Sequence, residues 1–284
     1  MTELALAGNR LAGTLGLVRA YLSATAGIVR RDAVIRASYR GTLLSTLVSV
    51  IFGLATFYFV SKLVRVPPFN SPGDYFAFTV VGIVVFGLMQ SSLSIPSNLR
   101  QELVAGTYER LVLSPFGSTA ATVALMVFPI LFALTMALVE LGVAVVVFGL
   151  HVEWDTAALA LPLGVAGAFA FAPVALVFAA ITLAFKQAPG QNAALAVFAL
   201  ASGLYFPVAL LPWWLHWISE IQPYTPTVAL LRHVLIGFPL PLGMSIAGAV
   251  AKIAAFIVIG IPIGVLLVSI AGRYGRRHGT IIEY

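Results

Sequence analysis

Apolar residues along this chain fall into six long runs, at about residues 42–61, 76–95, 119–150, 157–185, 190–211 and 245–271. Each reaches or exceeds the ~20 residues that a helix needs to cross the hydrocarbon of a bilayer. The third and fourth are long enough to tilt or to extend past it. Pro129, Pro162 and Pro173 lie inside these two runs, where kinks are expected. The pattern predicts an all-α, polytopic membrane protein with six transmembrane helices. Residues 1–41 form a cytoplasmic N-terminal interfacial segment, 42–271 the transmembrane domain and 272–284 a basic cytoplasmic tail.

Three segments depart from simple spans. In residues 1–41, Leu17, Tyr21, Ile28 and Ile35 recur at helical spacing while Arg19, Arg30 and Arg31 point elsewhere. A helix lying on the membrane surface, with its arginines on anionic headgroups, accounts for this better than a frayed tail. In the loop 96–118, Leu99, Leu103, Leu111 and Leu113 are too apolar for a solvated connector. Arg100, Glu102, Glu109 and Arg110 make the same loop too polar to span. It reads as a short surface helix, broken at Gly106 and stopped before Pro115, suited to docking a soluble partner. In residues 203–244, Gly203, Pro207, Pro212, Pro223, Pro226, Pro239 and Pro241 interrupt an apolar stretch. A single lipid-exposed helix there would strand its freed backbone groups. Short helices dipping into the outer leaflet under the cover of protein are preferred to an ordinary external loop.

Composition agrees. Of 284 residues, 61% are hydrophobic and 9% charged, whereas soluble domains carry about 25% charged residues. Much of the surface therefore faces lipid. Cysteine is absent, which excludes disulfides and thiolate metal sites. A polar, basic segment precedes the first apolar run, which begins near Thr42, too late for a cleaved signal. No stretch resembles a nucleic-acid-binding footprint, and the net charge of +6 finds its explanation in topology. Twelve of the 16 lysines and arginines lie in alternate loops: Arg10, Arg19, Arg30, Arg31, Arg36 and Arg40; Arg100 and Arg110; Lys186; and Arg273, Arg276 and Arg277. By the positive-inside bias both termini are cytoplasmic. Trp213, Trp214 and Trp217 suit the opposite interface.

Catalytic chemistry finds no footing. His151, His216, His233 and His278 lack metal-ligand spacing. His151, Glu153 and Asp155 read as a solvated outer turn. Glu140 and Lys252 sit inside apolar runs, at a cost of about 2.5–3.5 kcal/mol each on insertion scales. They are candidates to pair, bind substrate or couple protons, with snorkelling to the interface the plainer account for Lys252.

Two stretches resemble the ABC-2 permease family. Glu102, Gly106, Thr107, Glu109 and Leu111 through Ser114-Pro115 resemble its E-x-x-x-G-T-x-E-x-L…S-P pattern. Gly203, Phe206-Pro207 and Leu211-Pro212, followed by Pro223, Pro226 and Arg232, resemble its late G-x-x-F-P…L-P…P…R pattern. The resemblance implies the membrane half of an ABC exporter in a bacterial inner membrane. Its partners are two ATP-binding subunits, which carry ATP and Mg, a second permease subunit, identical or a paralogue, and membrane lipids. It implies an ATPase-coupling loop containing Arg100, Glu102, Gly106, Thr107, Tyr108, Glu109 and Arg110. The chain has no G-x-x-x-x-G-K-[ST] loop, so hydrolysis is expected on another polypeptide and none of the cofactor here. The Gly-Thr-x-Glu stretch is closer to the drug and lipid branch, while Arg36 to Gly41 resembles the glycan branch. A gradient-driven secondary transporter would want inverted repeats and midplane charges, and only Glu140 answers to that. A membrane-embedded enzyme would want clustered acids or histidines.

Overall fold

The structure, a computed structural model, describes residues 22–23, 25–64, 69, 71–106, 117–185, 187 and 190–277, apart from the side chains of 117–121, 124 and 276. Among them every regular element is helical. Residues 25–38 form α1, and a bend at Tyr39 leads into α2 (Arg40–Ser61). α3 (Pro72–Ser92) opens on a capping box. The Ser71 hydroxyl accepts from the Asp74 amide and the Asp74 carboxylate accepts from the Ser71 amide, with Pro72 filling the first helical position. After two turn residues α4 (Ile95–Val104) continues from it. α5 (Gly117–Phe148) runs 32 residues across Pro129. A single turn, α6 (Trp154–Ala157), precedes α7 (Ala160–Phe185). Pro162 sits in the first turn of α7, where its missing amide is spare. The interior prolines of the two long helices are therefore Pro129 and Pro173.

Five helices are long and apolar enough to cross a membrane: Arg40–Ser61, Pro72–Val104, Leu125–Phe148, Ala160–Phe185 and Ile246–Gly275. The expected fifth span, 190–211, differs. Its helix, α8 (Gln191–Ala201), has 11 residues, about 16 Å at 1.5 Å per residue, against ~30 Å of hydrocarbon. Gly203 ends it with φ +76°, a region closed to most side chains. Pro207 and Pro212 then flank a 3₁₀ turn (Val208–Leu210), and α9 (Trp213–Ile221) and α10 (Tyr224–Ile236) follow. Val228, Leu231 and Leu235 on α10 are buried, as expected for the broken segment. α11 (Ile246–Ala255) passes through a π-helical turn, Phe256–Gly260, into α12 (Ile261–Arg277). Pro262 explains that turn, because its ring excludes a regular bond to the carbonyl four residues back.

α7 is the hub, packed against α3, α4, α10, α11 and α12. It carries Ala170, Ala172, Ala175, Leu176 and Ala179 at zero exposure. Small residues set the distances, as in other membrane helices. A Cβ on Gly264 would stand 2.8 Å from Leu176, and one on Gly260 would stand 2.6 Å from Pro173. Between α7 and α10, Gly167 leaves room for the Thr227 methyl. In α2 only Leu54 and Ser61 are buried, and Phe52 and Phe59 face outward.

Candidate functional site

α4 has a buried and an exposed side. Ile95, Leu99 and Leu103, three or four residues apart, are buried against α7 and α5. Arg100, Gln101 and Val104 are exposed, and the helix ends at Gly106 with φ +67°. Helical structure is thus present here and stops at the expected glycine, but as the last turns of the Pro72–Val104 helix, and the part expected beyond Gly106 lies outside the described residues. α4 follows α3 after only two turn residues. Thr107, Tyr108, Glu109 and Arg110 lie outside the described residues.

Glu102 is bound from a distant part of the chain. Arg31 on α1 donates from Nη2 to Glu102 Oε1 at 2.8 Å and from Nε to Asp32 Oδ1 at 2.8 Å. Burial opposes the Arg31 charge, but the Asp32 hydrogen bond and the Glu102 carboxylate outweigh it and raise its pKa. Arg36, one turn further on, lies with Cζ 4.2 Å from the centre of the Phe132 ring on α5. Of the predicted stripe on this segment, Ile28 packs on the core, Ile35 is exposed, and Leu17 and Tyr21 lie outside the described residues. At the same end of the bundle Gln191 donates from Nε2 to the Leu93 carbonyl at 2.5 Å, fixing the start of α8 to the α3–α4 junction.

The interrupted segment converges on Arg232. Its side chain is buried at 4% exposure. It donates from Nε to Phe78 O (3.0 Å), from Nη1 to Gly203 O (2.8 Å) and from Nη2 to Leu204 O (2.6 Å). The guanidinium also lies 3.2 Å from the centre of the Phe78 ring. The Gly203 and Leu204 carbonyls lie in the turn just past the end of α8, so one planar five-donor group satisfies buried carbonyls of the interrupted backbone. Gly82 on α3 admits this contact. A Cβ there would meet the Leu204 carbonyl and come within 2.8 Å of Arg232 Nη2. Pro212 and Pro223 delimit α9, while Pro207, Pro226 and Arg232 line a cavity of about 700 Å³. In the sequence Arg232 figured only as the last letter of a motif. Its carbonyl partners lie 28, 29 and 154 positions away, which no local pattern signals.

The two intramembrane charges separate. Lys252 on α11 pairs with Glu220 on α9 at 3.4 Å, beside the same cavity, and this partner was not foreseen. Glu140 is half-buried on the flank of α5 and makes no hydrogen bond or ion pair with any described residue. His151 and Glu153 border a second cavity of about 730 Å³. The Glu153 amide donates to the Leu235 carbonyl at 2.9 Å, which docks this turn on α10. No group of three potential metal ligands occurs among the described residues.

A helical bundle with five membrane-length helices, a short apolar helix that ends beside a buried arginine and a half-buried helix at the end of the second span defines a multi-pass membrane protein. Residues 28–236 match the ABC-2 type transporter family model, and the chain belongs to that family. It is a membrane-spanning permease of an ABC transporter, a type that works with ABC ATP-binding subunits. No curated protein matches the chain.

Proposed function

We propose that this chain is the permease of an ATP-driven exporter that moves a hydrophobic or amphipathic compound (a drug, lipid or polyketide) out of the cytoplasm or inner leaflet. Two such permeases pair, and two ABC ATPases dock beneath them. Both termini and α4 then face the cytoplasm of a bacterial inner membrane. The observation that carries this reading is α4 itself: one face is buried on α7 and α5, the other carries exposed Arg100, Gln101 and Val104, and Glu102 is tied to α1. A force applied to that face acts on α3 directly and on α7 through packing. Glu102 is held at the edge of this surface, so its removal acts both on the contact face and on α1. Co-expression with a cognate ABC ATPase tests the reading. The wild-type chain retains the ATPase through purification, and Glu102→Ala lowers either this association or cargo-stimulated hydrolysis while the chain still inserts. Failure of the wild-type chain to hold any ABC ATPase contradicts the proposal.

A further inference from the structure

The cavity of about 700 Å³ under α9–α11 holds a buried positive charge whose structural hydrogen bonds all go to neutral groups. Its volume lies within the range of ligand sites, about 300–1,000 Å³. Four ionisable side chains line it: Arg232, Lys252, His216 and Glu220. Arg232 is bonded to three neutral carbonyls, and among the described residues no carboxylate balances its charge. Lys252 does have a carboxylate, but an exposed one: the Glu220 side chain is 79% exposed and that of Lys252 29%. A buried cation without a counter-ion in a low-dielectric wall favours an anion nearby. Glu220 is free to turn into water and yield Lys252 to one.

Apart from the hydroxyls of Ser202, Ser219, Thr225 and Ser245, the remainder of the wall is apolar, with Leu240 and Met244 among its residues. On α9, which supplies His216 and Glu220, Trp213 and Trp217 are exposed at 84% and 60%. Exposed tryptophans of this kind lie at headgroup depth. An occupant therefore needs a negative head and an apolar body. We infer that this cavity binds the anionic headgroup of an amphiphile, held between Lys252 and Arg232 with its tail along the apolar wall. This deepens the reading of an amphipathic cargo and rests on it. The headgroup belongs either to a resident anionic phospholipid or to a transported amphiphile.

The purified full chain is titrated with dioleoyl-phosphatidylglycerol and, separately, dioleoyl-phosphatidylcholine, with occupancy read by native mass spectrometry. The expected result is tighter phosphatidylglycerol binding. Lys252→Glu weakens it fivefold or more, Glu220→Gln strengthens it twofold or more, and phosphatidylcholine is unaffected by either. Lys62→Gln, in the wall of the other cavity, changes neither. Dodecyl phosphate then separates the sources. Displacement of the bound phosphatidylglycerol marks a site open to transported amphiphiles, and resistance marks a resident phospholipid; both uphold the headgroup site. Equal affinity for the two lipids, or a preference unchanged in both Lys252→Glu and Glu220→Gln, overturns the inference. The assay contains no ATPase, so such a failure leaves the exporter reading standing, and loss of the ATPase partner leaves this binding result standing.

Discussion

Arg31 and Glu102, 71 positions apart in the chain, meet at 2.8 Å and link α1 to α4, the last turns of the Pro72–Val104 helix. The pair is part-exposed, with side-chain accessibilities of 41% and 17%. Solvent therefore screens it, and its contribution is in the surface range of about 0–1 kcal/mol. Its value lies in position: it joins α1 to α4.

A double-mutant cycle of Arg31→Ala and Glu102→Ala on thermal stability in detergent gives a coupling of about 0.5 kcal/mol. Additive effects of the two substitutions would show that the pair does not form in solution.

Arg232→Met leaves the Gly203 and Leu204 carbonyls buried and unpartnered. At about 1–3 kcal/mol for each stranded group, the chain loses at least about 2 kcal/mol and its melting transition drops. Arg232→Lys recovers only part of this, because a single ammonium cannot reach in three directions as the guanidinium fork does. Equal melting points for wild type and Arg232→Met would remove Arg232 from this role.

Gly264→Leu pushes α12 off Leu176 on α7, where a Cβ alone already stands 2.8 Å away. Overpacking of this kind costs about 1–3 kcal/mol, read as a lower melting temperature. Gly142→Ala meets nothing within 4 Å and leaves the melting temperature unchanged or slightly raised.

What the sequence discloses is what periodicity and hydropathy encode. The long helices, the end of α4 at Gly106 and the burial of Val228, Leu231 and Leu235 follow from apolar runs and from backbone-breaking residues. The length of α8 was harder to read. Residues 190–211 are apolar enough to span, and only the left-handed backbone at Gly203 shows where the helix stops. Lys252–Glu220, Arg31–Glu102 and the three carbonyls on Arg232 are long-range meetings of side chains with tertiary neighbours. No spacing rule within one segment predicts them.

Because the chain has no cysteine, single introduced thiols report exposure cleanly. Cysteines at Val228, Leu231 and Leu235, exposed at 1%, 4% and 5%, react slowly with a charged maleimide, whereas one at Leu242, fully exposed, reacts fast. Equal rates at all four would make α10 part of an open loop.

The contact face of α4 is tested most directly by cross-linking in the assembled transporter. Single cysteines at Arg100 and Val104, both exposed on α4, and at Leu63, exposed 84% beyond the end of α2, carry a short photo-activated cross-linker in a chain co-expressed with its ABC ATPase. The account predicts adducts to the ATPase from positions 100 and 104 and none from position 63. Adducts from position 63, or none from 100 and 104 in a complex that still hydrolyses ATP, would contradict it.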